Sequence, residues 1–190
     1  MSEQRRALQL RAKSLLKRGK YSDARQLYRQ LAVDTDADSQ VVMGWLCQNG
    51  LGANRDEEEA YEWFSKAASL GHAPGAFYCG RLRTAQGHHK EALKWYEKAA
   101  KLNYCPAVLW LGISYSRGLG VGQSLDKAGQ YYERAIRLGS LIAQRQLAVL
   151  LVRGKFGWSR IAEGAWLLTT VAPETLIELA RHGYSDRLRA

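Results

Sequence analysis

Small and aromatic residues recur along this chain at helical spacing, in three segments of nearly the same pattern. The segments read AYEWFSKAASLG, ALKWYEKAAKLN and AGQYYERAIRLG, and they begin at Ala60, Ala92 and Ala128. In each segment, alanine or an aromatic residue stands at offsets 0, +3, +4 and +7, which form one stripe of an α-helix. Because alanine alternates with bulky rings in this stripe, neighbouring helices can interdigitate closely. The pattern predicts three equivalent amphipathic helices.

A second predicted helix precedes each of these segments and carries a small residue at a fixed place. Gly44, Gly80, Gly112 and Ala148 follow one another at spacings of 36, 32 and 36 residues. Glycine inside a helix costs about 1 kcal/mol relative to alanine, so a repeated glycine indicates that another helix approaches closely there. Each unit is therefore predicted to be a helix, a glycine-containing turn and a second helix. A repeat length of 32 to 36 residues is typical of a helix-hairpin solenoid.

Five such hairpins are predicted, and the two terminal ones are degenerate copies. In the last hairpin the aromatic residues are replaced by Leu167 and Leu168. A final helix is expected after Pro173, because proline suits the first position of a helix. The fold class expected is all-α, a single solenoid domain of stacked helix-turn-helix units over residues 1–190. Its hairpins are placed at about 4–36, 37–72, 73–104, 105–140 and 141–172, with a C-terminal capping helix at 173–189.

The segment LGISYSRGLGVGQSLDKAGQYYERAIRLG, which begins at Leu111, resembles the Sel1-like repeat, a branch of the tetratricopeptide-type helical repeats. The unit MGWLCQNGLGANRDEEEAYEWFSKAASLG, which begins at Met43, matches nearly as well. The first and third units are more similar to ordinary tetratricopeptide units, and the third lacks four turn residues. The resemblance implies a right-handed superhelix that acts as an adaptor for other proteins, often within bacterial complexes and signalling.

Composition restricts the classes of protein that fit this chain. The hydrophobic fraction of 46% is ordinary for a globular protein, and no run of 18 or more apolar residues is present. The segment MSEQRRALQLRAK lacks the apolar stretch of a secretory signal, so we expect a cytoplasmic protein without membrane insertion. Cys47, Cys79 and Cys105 have no paired spacing, which predicts free thiols that are buried or half-buried.

Candidate chemistry is sparse. The glycine-rich segment RGLGVGQS, from Arg117, follows a predicted helix and lacks the Gly-Lys-Ser/Thr ending of a phosphate loop, so it is predicted to be a turn. His88 and His89 have no further metal ligands at a suitable spacing. The acidic run that follows Arg55 is expected to begin a helix, with Asp56 as its cap. No nucleophilic triad is visible, so we expect no enzyme, cofactor or metal. A hydrolase related to cysteine-rich, β-lactam-binding repeat proteins is a further alternative. Such relatives have regular cysteine pairs, which this sequence lacks.

The predicted binding site is the concave face formed by the first helices of the units. By analogy with tetratricopeptide units, positions −6, −3, +1, +4 and +5 from the Gly44-type residue point inward, although some of these side chains could instead pack against a neighbouring repeat. Cations and amides dominate these positions, which suits an extended acidic peptide or a C-terminal carboxylate. The residues expected to bind are Arg6, Lys13, Lys17, Trp45, Gln48, Asn49, Phe77, Arg81, Arg117, Arg145 and Arg153.

The net charge of +10 leaves nucleic acid open as an alternative partner. Residues 1–36 carry nine Lys or Arg against four Asp or Glu, whereas residues 37–72 carry two against six. This acidic second repeat interrupts the positive charge and argues against one continuous track for phosphates. The leading interpretation is a protein-interaction scaffold. A helical repeat protein that binds single-stranded RNA is the alternative.

Overall fold

A computed structural model describes residues 3–33, 36–152, 162–164 and 166–167, and these residues are predominantly helical. None of the helices in these ranges combines the length and the apolar character that a membrane-spanning helix requires. The predicted capping helix at 173–189 lies outside the described residues. The helices are α1 (Glu3–Lys17), α2 (Tyr21–Ala32), α3 (Ala37–Gln48), α4 (Glu57–Ser69), α5 (Ala73–Ala85), α6 (His89–Lys101), α7 (Cys105–Arg117), α8 (Leu125–Arg137) and α9 (Leu141–Val152).

The chain divides into two compact units, Met1–Leu102 and Asn103–Ala190. In the first unit each helix packs on the next, from α1 through α6, and α3 also contacts α5. In the second unit α7 packs on α8, and α8 packs on α9. The predicted all-α architecture of stacked helix pairs is confirmed. The assignment of residues 1–190 to a single domain stays a prediction.

The repeated glycines lie where the first helix of a pair meets an aromatic ring of the second. A Cβ atom built on Gly80 would lie 2.6 Å from the Tyr96 ring, and one built on Gly112 would lie 2.6 Å from the Tyr132 ring. Gly44 makes the same approach to the ring of its own pair, at 2.5 Å. Real Cβ atoms do not come so close to other heavy atoms, so these positions require glycine. The close helix approach predicted from the glycine spacing is confirmed.

The aromatic–alanine stripe is buried, as its helical spacing predicts. Phe64, Tyr96 and Tyr132, at offset +4, are each no more than 1% exposed, and the alanines at offsets 0 and +7 are buried as well. The rings at offset +3 are half-buried, and that of Tyr131 stacks on Tyr115 with 5.5 Å between ring centroids. Burying one large apolar side chain contributes about 1.5–3 kcal/mol, so this stripe supplies much of the stability of each pair.

The turns and caps fix where the second helices begin. The Asp56 carboxylate accepts a hydrogen bond from the backbone N–H of Glu59 at 2.8 Å, which confirms the predicted cap of α4. Ser124 caps α8 in the same way. Gly52, with a φ of +79°, approaches so closely that a Cβ atom on it would lie 2.7 Å from the backbone nitrogen of Ser22. The long turn of the second pair therefore rests on the start of α2.

Candidate functional site

The inward positions of α1, α3 and α5, here called the first-helix face, carry exposed cations in the first unit. Arg6, Lys13 and Lys17 lie on α1, and Arg81 lies on α5; all four are exposed. In the part of the chain that the structure describes, none of the four pairs with a carboxylate. An unpaired guanidinium or ammonium group keeps its full capacity to bind an anion. These four side chains are therefore the chemically available part of the predicted site.

Two of the amides on this face are already engaged within the protein. Gln9 Nε2 donates to the carboxylate of Asp36 at 2.8 Å, and Asp36 caps α3. Asn49 Nδ2 donates to the backbone carbonyl of Trp45 at 2.8 Å, at the C-terminal end of α3. Both amides thus stabilise helix ends. Gln48 is half-buried on the same face.

The two aromatic residues predicted to anchor a ligand differ in their exposure. Phe77 is only 7% exposed, and its ring lies against Tyr78 and Tyr96, with ring centroids 5.5 Å and 6.0 Å away. Trp45 is half-buried and packs against the core of the first unit. Trp45 therefore has more surface to offer a ligand than Phe77, which belongs mainly to the core.

Hydroxyl groups link the two helices of a pair just behind this face. The hydroxyl of Tyr96 lies 2.9 Å from Thr84 Oγ1, and Thr84 Oγ1 donates to the carbonyl of Gly80 at 2.9 Å. Tyr132 donates to Ser116 Oγ at 3.2 Å in the second unit. Burial raises the pKa of both tyrosines, so their hydroxyls remain protonated donors. These hydroxyls stabilise the pairs instead of offering free donors to a ligand.

The second unit carries exposed arginines at the corresponding positions. Arg117 ends α7, and Arg145 lies on α9. Neither forms an ion pair with another described residue. Leu109, at an inward position of α7, is buried. Arg153, which the sequence analysis also assigns to the site, lies outside the described residues.

The acidic run of the second repeat lies on α4 and its cap, away from the inward positions. Of the acids in residues 37–72, only Asp38 occupies an inward position, and its carboxylate lies 3.1 Å from His72 Nε2. Glu57 pairs with Arg55, whose hydrogen bond holds the pKa of Glu57 below its usual value, with help from Gln86. The second repeat therefore places one exposed acid, Asp38, on the first-helix face, and its other acids lie on α4 and its cap.

Ion pairs between α2 and α4 are a feature that the sequence analysis missed. Arg25 and Arg29 donate to the two carboxylate oxygens of Glu59 at 2.6 Å and 2.9 Å. Trp63 Nε1 donates to the same carboxylate at 3.3 Å. Burial alone would raise the pKa of Glu59, but the hydrogen bonds and the charge of Arg25 outweigh it and hold that pKa below its usual value. The sequence does contain a signal for these ion pairs, because Arg25 and Glu59 carry opposite charges and lie about one repeat apart.

The cysteines are free and are buried or half-buried, as predicted. Burial raises the pKa of Cys47 and of Cys79 to about 12, so both thiols stay protonated and unreactive near neutral pH. Burial also raises the pKa of Cys105. Within the described ranges, no group of three or more His, Cys, Asp or Glu side chains is placed to hold a metal ion.

Comparisons with known proteins identify relatives of the repeats. The family model for the Sel1 repeat matches residues 37–72, 86–104 and 106–140. A search of the curated proteins finds no match. The chain is similar to a Sel1 repeat protein from Oxalobacter formigenes, with 27% sequence identity and a TM-score of 0.75 over 87% of this chain and 67% of that one.

Two further solved structures share the fold. One is a protective antigen present in uropathogenic Escherichia coli strains, which displays an SLR fold. It matches with 24% identity and a TM-score of 0.72 over 81% of this chain and 34% of that one. The other is MamA from Desulfovibrio magneticus RS-1, with 23% identity and a TM-score of 0.59 over 96% and 98% of the two chains. The chain thus spans about two thirds of the Oxalobacter protein and about one third of the antigen.

Proposed function

Because this chain is a Sel1-like repeat protein, we propose that it is a non-enzymatic scaffold that holds an acidic segment of a partner protein against its first-helix face. Repeats of this kind commonly mediate protein interactions. The observation that carries the proposal is the set of exposed cations Arg6, Lys13, Lys17 and Arg81, which have no carboxylate partner among the described residues. A carboxylate-rich peptide supplies counter-charges for these cations.

The chemistry of this face favours a peptide over a single-stranded nucleic acid. Proteins that bind single strands combine cations with several exposed aromatic rings on which bases stack. The first-helix face of the first unit offers one half-buried ring, that of Trp45, since Phe77 is buried. An acidic peptide needs cations and few stacking rings. Trp45 could then hold one apolar side chain of that peptide.

Charge reversal on the first-helix face tests the proposal. We expect the variant Lys13→Glu with Arg81→Glu to bind a fluorescein-labelled dodecaglutamate peptide at least about tenfold more weakly than the wild type, because like charges then face each other. Fluorescence anisotropy measures the affinity. Both side chains are exposed, so the melting temperature should fall by no more than a few degrees.

The matched control is Lys94→Glu with Lys101→Glu, two exposed cations of α6. It changes the net charge by the same amount away from the first-helix face, and it should leave the affinity nearly unchanged. Equal weakening in both variants would refute the assignment of the face. A single-stranded RNA that binds more tightly than the peptide, with a steep salt dependence, would favour the nucleic-acid alternative. Affinity capture from the native lysate, run with both variants, would then identify the partner.

A further inference from the structure

A second surface of α1 differs from the corresponding surface of every later first helix in the first unit. This outer face consists of Ala7, Leu10, Arg11 and Ser14 on the helix and Arg18 in the turn that follows it. Helical geometry places it directly beside the first-helix face, and the two faces adjoin at Leu10, which lies four residues from Arg6 and three from Lys13. In α3 the corresponding positions are buried or half-buried, and in α5 they contact the preceding helix pair, where Gly75 packs against Ala67 and Tyr78 stacks on Phe64. In α1 the same positions are largely exposed.

The residues at these positions explain the difference. Arg11 is exposed, whereas Met43 and Cys79, at the same place in the two later first helices, are completely buried. Leu10 is 62% exposed, whereas Tyr78, in register with it, stacks on a ring of α4. A guanidinium in the position of Met43 would be costly to bury beneath another helix pair. The outer face of α1 therefore differs in chemistry from the buried faces of α3 and α5.

The outer face is surrounded by uncompensated positive charge. Arg11 and Arg18 lie on it, and Lys17 and Lys20 flank it at the end of the helix. None of the four pairs with a carboxylate in the described part of the chain. The acids nearest in sequence are Glu3 and Asp23. Leu10 therefore protrudes among cations that have no carboxylate partner within the described ranges.

We propose that the outer face of α1 docks this protein peripherally on an anionic lipid surface. Each Lys or Arg near such a surface strengthens binding about fivefold. A protruding leucine among these cations adds an apolar contact at the boundary between headgroups and acyl chains. The outer face belongs to a single helix and has no aromatic residue, so it offers neither a groove for a peptide nor a stacking platform for bases.

A second copy of the chain fits the outer face less well than a lipid surface does. The densest acidic segment among the described residues is the run Asp56–Glu59. Within it, Asp56 caps α4, Glu57 pairs with Arg55, and Glu59 binds two arginines. This leaves Glu58 as the one acid of the run without such a role. An anionic bilayer presents many negative headgroups in one plane and requires no such cluster.

Co-sedimentation with large unilamellar vesicles tests this docking with the full chain. We expect binding to vesicles of phosphatidylcholine and phosphatidylserine in a 70:30 ratio at about 50 mM KCl, and its loss at about 500 mM KCl, where charges are screened. Vesicles of phosphatidylcholine alone should not bind. The variant Arg11→Gln with Arg18→Gln should bind the anionic vesicles about 25-fold more weakly, since two cations are removed.

Two further variants separate docking on lipid from general attraction to anions. Lys94→Gln with Lys101→Gln removes the same charge from α6 and should change vesicle binding by less than about twofold, because these cations lie away from the outer face. Leu10→Ser should weaken vesicle binding severalfold without changing the melting temperature, since Leu10 is exposed. Three results would overturn the proposal: no binding to the anionic vesicles at 50 mM KCl, equal loss in the α6 variant, or tighter binding of single-stranded RNA through Arg11 and Arg18.

Discussion

Gly112 lies in the middle of α7, where helix propensity alone would favour alanine by about 1 kcal/mol. The structure places the ring of Tyr132 where the alanine methyl group would be. Tyr132 is buried, and its hydroxyl is bonded to Ser116, so the ring has little freedom to move. The loss of intrinsic helix stability is thus offset by the close packing of two helices, as with Gly44 and Gly80.

At this scale we predict that Gly112→Ala destabilises the protein by about 1–3 kcal/mol, because overpacking outweighs the better helix propensity. Urea unfolding followed by circular dichroism measures the change. The control is Gly122→Ala in the same unit, where a Cβ atom would meet nothing within 4 Å. That variant should change stability by less than about 0.5 kcal/mol. A neutral or stabilising Gly112→Ala would contradict the role of the close approach.

Helices α2 and α4 belong to different pairs, and charged side chains bond them directly. Arg25 has a side chain only 11% exposed, and Glu59 neutralises it. One nitrogen of Arg25, Nη1, is buried without a hydrogen-bond partner in the described structure. Removing the carboxylate would leave this guanidinium almost wholly unpaired in a partly buried place. The cost of a broken pair is therefore larger than the net contribution of the intact pair.

For these elements we predict that Glu59→Gln lowers the free energy of unfolding by about 2 kcal/mol at pH 7. The folded state holds the pKa of Glu59 below the unfolded value of about 4.3, so this stabilisation is present above that pH. The stabilisation is lost as the pH falls through the lower pKa that Glu59 has in the folded protein. Thermal unfolding at several pH values should thus show the gap between wild type and variant closing below about pH 4.

Glu62→Gln provides the control for the α2–α4 ion pairs. Glu62 is an exposed carboxylate on the same helix and forms no ion pair within the described residues. Its removal should change stability by less than about 0.5 kcal/mol at any pH. A gap for Glu59→Gln that persisted unchanged at pH 3 would show that the lost stability does not come from the ionised carboxylate.

At the scale of the whole molecule, aromatic rings connect successive helix pairs within the first unit. Phe64 of the second pair stacks on Tyr78 of the third, with 5.1 Å between centroids. Tyr78 meets Phe77 at 5.5 Å, and Phe77 meets Tyr96 at 6.0 Å. These rings form one contiguous cluster that joins two repeats. Solenoids are stabilised through such interfaces between neighbouring repeats, in addition to the repeats themselves.

We therefore predict that Gly44→Ala and Gly80→Ala are not additive. Each displaces a ring at one end of this cluster, so the second substitution should cost less once the first has loosened the packing. The double variant should be more stable than the sum of the single changes implies, by at least about 0.5 kcal/mol. A double-mutant cycle by urea unfolding measures this coupling. Additivity within about 0.3 kcal/mol would mean that the cluster does not transmit packing changes between repeats.

Much of the fold could be predicted from the sequence because it depends on local periodicity. The stripe that contains Phe64, Tyr96 and Tyr132 predicts which side of each second helix is buried. The composition of the inward positions could also be predicted, but not which of their side chains remain available. Gln9 is engaged by Asp36, 27 residues away, and no local pattern encodes that pairing. The pairing of Glu59 with Arg25 and Arg29 of α2 is another contact that no local pattern encodes.

The sequence by itself determined that this protein is built from helix pairs, that another helix approaches closely at the repeated glycines, and that Asp56 begins α4. These features follow from side-chain size and from the 3.6-residue period, which are local properties. Only the tertiary structure decided that Arg25 forms an ion pair, while Lys13 and Arg81 pair with no carboxylate of the described residues. The reason is physical: hydrogen bonds and ion pairs depend on distances of about 3 Å between atoms, and packing alone sets these distances for residues a repeat apart.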